Sequence, residues 1–383
     1  MFDATSLARN ITGIENYTKN LLLNLINNIN KDDQLIVLLR KNVPDYIQEH
    51  ENVKILLCPF SSQLLCEQVW IPMIHLKYQS DVIHFPAFPP PLLVRKNVYF
   101  TVHDATMWKY PNTLSLKNKL YMRPLSSFGI KKARKVLTVS ENSKKEIIDV
   151  FPNVSKKIEN MGISISTNIS RETDKEKLLN VKIKYKLPEK FLLTVGSLEP
   201  RKNLLFLIKS FTKYCKDNNE TELKLVITGR SAWGATEVIS YIKNNEMENQ
   251  IILTGYISDS DLICLYSLCE YFVFPSIYEG FGLPVLEAMA CGSPLIVSNT
   301  SSIPEVAGEA AVYFNPYEQE DFVEKLNNVY LNEEIKKSLI IKGSKRVKKF
   351  SWEKISKDIY NLYKINAKKG NGEVVNSGEG KPL

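Results

Sequence analysis

No stretch of this 383-residue sequence is long and apolar enough to cross a bilayer. The opening Met1-Phe2-Asp3-Ala4-Thr5 lacks the basic segment and apolar core of a secretion signal. Histidine is scarce, at 4 in the chain, and the 6 cysteines form no CxxC pair and have no His at metal-ligand spacing. That excludes a zinc-ribbon or disulfide-stapled scaffold and leaves reduced thiols in a cytosolic protein as the expectation. The formal net charge is only +8, and Lys is mixed with Asp and Glu rather than interleaved with aromatics, so no nucleic-acid face is expected. What the chain does have is 44% hydrophobic and 24% charged residues, the balance of a globular protein. Its length exceeds what one core ordinarily holds, which predicts two domains.

Short β-branched and aromatic runs alternate with stretches of helical period. The first half has residues 35–39, 53–57, 82–85, 98–102 and 136–139; the second has 191–195, 223–228, 251–254, 271–274 and 294–297. Continuous apolar strands separated by helices indicate parallel sheets covered on both faces. Residues 166–187 turn polar and charged, so the junction is placed there. The prediction is an α/β protein with two Rossmann-like domains, at 1–170 and 188–351, whose sheets face a central cleft. The last helix, about 352–365, is expected to pack back on the first domain, and the Gly/Ser/Asn-rich 370–383 to be a disordered tail.

Glu279 and Glu287 carry the strongest chemical signal. The strand 271–274 leads into a loop with Glu279, Gly280 and Gly282, followed by Pro284 at a first helical position and Gly292 at the helix end. Glycines admit a ligand close to the backbone, and amides at a helix start favour anions. Together with the two carboxylates, this suits a polyhydroxyl ligand attached to a phosphate. Gly196, Arg201 and Lys202 precede a second helix, Leu204 to Phe211; two cations there oppose the helix dipole unless an anion compensates them. A diphosphate clamp follows from Arg as a planar fork and Lys as a point charge. His103-Asp104 closes the strand 98–102, where a structural and a ligand-facing role both remain open. Asp259 and Asp261 resemble a metal-binding DxD, but they precede helical residues 262–268, so helix-start charge is the expectation and no metal site is predicted. Lys117, Lys119, Arg123, Lys131, Lys132, Arg134 and Lys135 lie among apolar residues, readable as a surface for an anionic membrane or as a solvated helix.

In combination these segments resemble the retaining GT-B glycosyltransferases of family 4. The likeness rests on the E-x7-E element Glu279…Glu287, on Gly13 in the first loop, and on Thr101-Val-His103-Asp104. Val139-Ser-Glu-Asn-Ser143 and Val195-Gly-Ser-Leu-Glu-Pro-Arg201-Lys202-Asn203 complete it. It spans residues 2–365, and the His-Asp form is similar to that of bacterial mannosyltransferases of O-antigen and other surface polysaccharides. The first strand is shorter than that family's, and Glu15 stands where many relatives have a second glycine.

The resemblance implies that the second domain holds a nucleoside diphosphate sugar and the first holds the acceptor. Arg201 and Lys202 would contact the diphosphate, and Glu287 the ribose. Glu279 with the amides of Phe281, Gly282 and Leu283 would hold the sugar, and Tyr256 sits where the base lies. Gly196 belongs to the donor site, Gly13 would approach the diphosphate, and His103 would contact sugar and phosphate at the reacting centre. The implied reaction moves a hexosyl group with retention, first of all mannose from GDP-mannose, onto a glycan or polyprenyl-linked acceptor, without metal or other cofactor. The implied place is the cytoplasm, with peripheral contact at the inner membrane face. A UDP- or dTDP-sugar donor and a non-catalytic nucleotide-sugar-binding protein are the alternatives.

Overall fold

The structure is a computed structural model that describes residues 1–8, 13–94, 97–111, 116, 118–229 and 235–370. The chain divides into two compact units: residues 1–163 with the segment from Trp352 onward, and residues 164–351. This division falls at Ile163 and Ser164, ahead of the charged stretch expected to hold the junction. That stretch contains a helix of the second unit, Lys175–Lys184, which begins at an Asp174 cap accepting from the amides of Glu176 and Lys177.

The first unit contains β1 (Phe2–Asp3), β2 (Leu35–Arg40), β3 (Val53–Cys58), β4 (Ile83–Phe85), β5 (Val98–Thr101), β6 (Lys135–Thr138) and β7 (Ile158–Asn160). They form one sheet in the order β3-β2-β1-β4-β5-β6-β7, and every described pairing is parallel. β1 has two residues, yet it sits mid-sheet, with Phe2 registered against Val37 on one side and His84 on the other. The second unit holds β8 (Phe191–Val195), β9 (Lys224–Thr228), β10 (Ile251–Gly255), β11 (Tyr271–Phe274), β12 (Leu295–Ser298) and β13 (Ala311–Phe314). Their order is β10-β9-β8-β11-β12-β13, again parallel.

Each of the ten apolar runs contains a strand; the central ones are covered on both faces, with β11 and β12 buried along their whole length, while the edge strands β3 and β10 leave residues exposed. β7 and β13 escaped notice in the sequence. Both are short edge strands with half-buried residues, so their composition carries little apolar signal. The helix Leu204–Asn218 lays Leu204, Leu207, Ile208, Phe211 and Cys215 on the sheet at helical spacing.

The closing helix, Trp352–Gly370, belongs to the first unit. The Trp352 ring meets Tyr17 edge-on at 5.4 Å, and Asn28 donates to Ser356 Oγ at 3.0 Å. Tyr99 OH donates to the carbonyl of Leu362, and Tyr363 OH hydrogen-bonds His84 Nδ1. His84 Nε2 meets Thr101 Oγ1 at 2.8 Å, so both ring nitrogens of this buried histidine are engaged. Burial and the nearby chain-terminal amine push its pKa down to about 3. Of the tail predicted at 370–383, Gly370 ends this helix, and residues 371–383 lie outside the described residues.

Candidate active site

In the second unit the functional side chains converge at the carboxyl ends of the strands. β8 ends at Val195, and the chain passes Gly196 into a 3-10 turn, Pro200–Lys202, before the helix that starts at Leu204. Gly196 donates its amide to the carbonyl of Thr228 at 2.9 Å. A Cβ on Gly229 would stand 2.1 Å from the Gly196 carbonyl oxygen, so only glycine allows the loops after β8 and β9 to touch. Gly229 was not singled out in the sequence.

The turn aims Arg201 and Lys202 at Glu279. Lys202 Nζ donates to Glu279 Oε1 at 2.5 Å, and Arg201 Nη1 donates to Oε2 at 3.1 Å. Arg201 Nε also donates to Glu199 Oε2 at 3.1 Å. The two cations therefore do not wait at a helix start for an external anion, as the sequence reading had it. The chain supplies their counter-charge through Glu279 and Glu199. Lys202 is 8% exposed, and its ammonium lies 5.2 Å from the centre of the Phe274 ring. Burial opposes ionisation of Glu279, but Lys202 and Arg201 outweigh it and hold the carboxyl below its ordinary value.

Beyond Glu279 the backbone reaches Gly282, which has φ +99° and caps the helix Leu283–Ala290. Pro284 is its second residue, one position later than expected, and Gly292, with φ +78°, follows its end. Phe281, Gly282 and Leu283 thus bring their amides to a helix N-terminus, where the first N–H groups have no partner within the helix. A hydroxyl-rich loop after β12 holds this segment in shape. Ser301 Oγ accepts from the Glu279 amide at 3.1 Å and donates to its carbonyl at 2.6 Å. Ser302 Oγ reaches the carbonyls of Glu279 and Phe281 at 2.9 and 2.8 Å. Sequence reasoning missed both serines; the one available signal was the run Thr300-Ser301-Ser302 just past a strand.

Glu287 lies one helical face behind. Tyr266 OH donates to its Oε2 at 3.1 Å. Burial, reinforced by Asp259, pushes its carboxyl up to about 7 against the pull of that hydrogen bond. Tyr256 follows Gly255 at the end of β10, with its ring exposed. Asp259 and Asp261 fall inside the first turn of the helix Asp259–Leu268, capped by Ser258. Asp261 Oδ2 accepts from Lys184 Nζ at 2.7 Å and Tyr185 OH at 2.8 Å.

Two predicted residues belong to the first unit. His103 follows β5; its Nε2 donates to the carbonyl of Pro86 at 2.8 Å, which makes Nδ1 the acceptor nitrogen of the neutral ring. Tyr17 packs edge-on to it at 4.9 Å, and burial keeps its pKa below the usual histidine value. Gly13 opens the helix Gly13–Asn28; among the described residues, its chain neighbours and helix backbone aside, no atom lies within 4 Å of where a Cβ would stand. The rest of the first loop, residues 9–12, lies outside the described residues.

Known proteins are similar to this chain in sequence and fold. The family model of Glycosyl transferases group 1 matches residues 175–346. O-antigen chain mannosyltransferase B of Escherichia coli is 30% identical over 289 residues, 75% of each chain. The chain belongs to the group 1 glycosyl transferases. Serotype-specific mannosyltransferase WbdA of Escherichia coli is 30% identical over 236 residues, 61% of this glycosyltransferase but 29% of that longer protein. The solved sucrose-phosphate synthase of Thermosynechococcus elongatus shares the GT-B fold at 19% identity, with a TM-score of 0.71 over 95% of this chain and 98% of its own.

Proposed function

We propose that this glycosyltransferase moves a mannosyl group from GDP-mannose, with retained configuration, onto a glycan or lipid-linked glycan in bacterial surface polysaccharide synthesis. The cluster of Glu279, Lys202 and Arg201 beside a glycine-capped helix start carries this reading. It joins acceptors for sugar hydroxyls to donors for a diphosphate. The mannosyl choice is supported by the names of the related O-antigen enzymes.

In this reading the bond from the sugar C1 to the diphosphate oxygen breaks, and its electron pair stays on phosphate. Arg201 and Lys202, already fixed by Glu279, meet that charge as it grows, and preorganised donors of this kind are the largest common contribution to catalysis. The acceptor oxygen bonds C1 on the face the phosphate leaves, and its proton passes to the departing phosphate oxygen. Glu279 takes hydrogen bonds from sugar hydroxyls, Glu287 from ribose, and His103 offers Nδ1 to a substrate hydroxyl. No carboxylate pair acts as nucleophile and acid, unlike in glycoside hydrolysis.

The place of action is proposed as the cytoplasmic membrane face. No helix among the described residues is long and apolar enough to span a membrane. The basic stretch contributes less net charge than its sequence suggests, because Lys135 pairs with Glu159, while Arg134 keeps its charge and is held by a hydrogen bond to Asn97 Oδ1. Exposed Leu64, Met73, Leu76, Leu116 and Leu120 in the same unit add apolar contact. Anionic liposomes should retain the protein at low salt and release it at high salt; equal recovery with neutral lipid would remove the membrane from the reading.

The enzymatic test is release of GDP from GDP-mannose by purified protein with and without candidate acceptor glycans. Release that depends on acceptor, with an α-linked product by NMR, is the expected result. Binding of nucleotide sugar without turnover under any acceptor would favour a carrier instead.

A further inference from the structure

A cavity of about 240 Å3 lies in the first unit. Its walls come from segments that follow the carboxyl ends of three strands of the sheet: Gln63 and Glu67 after the edge strand β3, Phe88 after β4, and Asn118, Tyr121 and Met122 after its neighbour β5. Ligands of parallel α/β sheets bind at this end. Two of the walls, Cys66–Trp70 and Asn118–Met122, are π-helical. Such turns are rare and concentrate at functional sites.

The two π-helical walls are tied to each other by hydrogen bonds. Tyr121 OH donates to Glu67 Oε2 at 3.3 Å, Gln68 Nε2 donates to Tyr121 OH at 3.3 Å, and Gln63 Nε2 donates to Glu67 Oε1. Glu67 is only 3% exposed, although a carboxylate is rarely buried without a purpose. Burial and the Glu67 charge together push the Tyr121 phenol above its ordinary value, so it remains an O–H donor.

We propose that this cavity is the acceptor subsite, and that it holds one pyranose ring by its hydroxyls on Glu67 and Tyr121 and by its apolar face on Phe88. The inference rests on the glycosyltransferase reading above and names where the acceptor sits. A carboxylate with amide and phenol groups matches the polar edge of a sugar, while Phe88 and Met122 match its C–H face. The buried negative charge repels phosphate, which separates this cavity from any donor-diphosphate site. Its volume falls below the roughly 300–1,000 Å3 of sites for drug-sized ligands, which suits a single ring and excludes a whole nucleotide sugar.

The test uses the full chain saturated with GDP, and probes it with methyl glycosides of mannose, glucose, galactose and N-acetylglucosamine by saturation-transfer NMR. At least one glycoside should bind, and Glu67→Gln and Tyr121→Phe should each weaken it by roughly tenfold or more, the loss expected for a hydrogen bond to a charged group. Thermal stabilisation by GDP should be the same in all three proteins. Absence of binding by every glycoside, or equal binding in both variants, would overturn the subsite. Should Glu67→Gln fail to fold, Asn118→Ala and Tyr121→Phe make the same test from the other wall. A wild-type protein that GDP does not stabilise would instead strike at the donor reading.

Discussion

At the scale of single residues, the consequence of most weight is the pairing of Lys202 with Glu279. Removing Lys202 leaves a buried carboxylate with Arg201 as its remaining cationic partner, so Lys202→Ala should destabilise the second unit by about 3 kcal/mol, the lower end for a broken buried pair. A differential melt would show this, and Lys202→Ala with Glu279→Gln should recover part of the loss, since the stranded charge is gone. Equal melting of single and double variants would mean that the pair contributes nothing. Glu287 carries a second prediction. Burial pushes its carboxyl up to about 7, and hydroxyl donors bind the ionised form. GDP affinity should therefore rise with pH up to about 7 and then level, with proton release on binding below that pH. Calorimetry in buffers of different ionisation enthalpy measures the proton directly, and Glu287→Gln should remove both the release and the slope.

At the scale of elements, the helix Trp352–Gly370 locks the first unit through His84. A histidine held near 3 when folded returns to about 6.5 when unfolded, so unfolding takes up a proton between those values. Stability from this group is complete above pH 6.5 and is lost as pH falls toward 3, by roughly 4–5 kcal/mol in all. Melting curves from pH 7 to 4.5 should fall more steeply for the wild type than for His84→Gln. Parallel slopes would show that His84 does not titrate this way. Much of each element was legible in the sequence, because a strand buried on both faces must be written in Val, Ile, Leu and Phe. β1 was recognisable only as a truncated strand; its two residues gain their place from neighbours on both sides. The hydroxyl loop Thr300–Ser302 was not legible as part of the site, since serines that serve as hydrogen-bond clamps look the same as serines that face solvent.

At the scale of the whole molecule, the proposed reaction should run without a divalent metal. The observation behind this is local: Asp261, half of the DxD pair, already takes hydrogen bonds from Lys184 and Tyr185, and Ser258 caps its helix. Exhaustive chelation should leave transfer from GDP-mannose within about twofold of the untreated rate, a change of under 0.5 kcal/mol in the barrier. Complete loss with EDTA, restored by manganese, would show that metal neutralises the leaving diphosphate in place of Arg201 and Lys202.

The sequence by itself determined the two parallel sheets, their α/β class and the glutamate-containing segment 275–294, because periodicity, strand composition and the punctuation of Gly and Pro are local properties of the chain. Only the tertiary structure decided what those charges face. Lys202 and Glu279 stand 77 residues apart in sequence, and the bond between them exists because β8 and β11 are neighbours in the sheet. The same holds for Tyr121 against Glu67, and for Tyr363 against His84 across 279 residues. A side chain's charge can be read from its identity, but its partner depends on which strands lie side by side and on how deeply the pair is withdrawn from water.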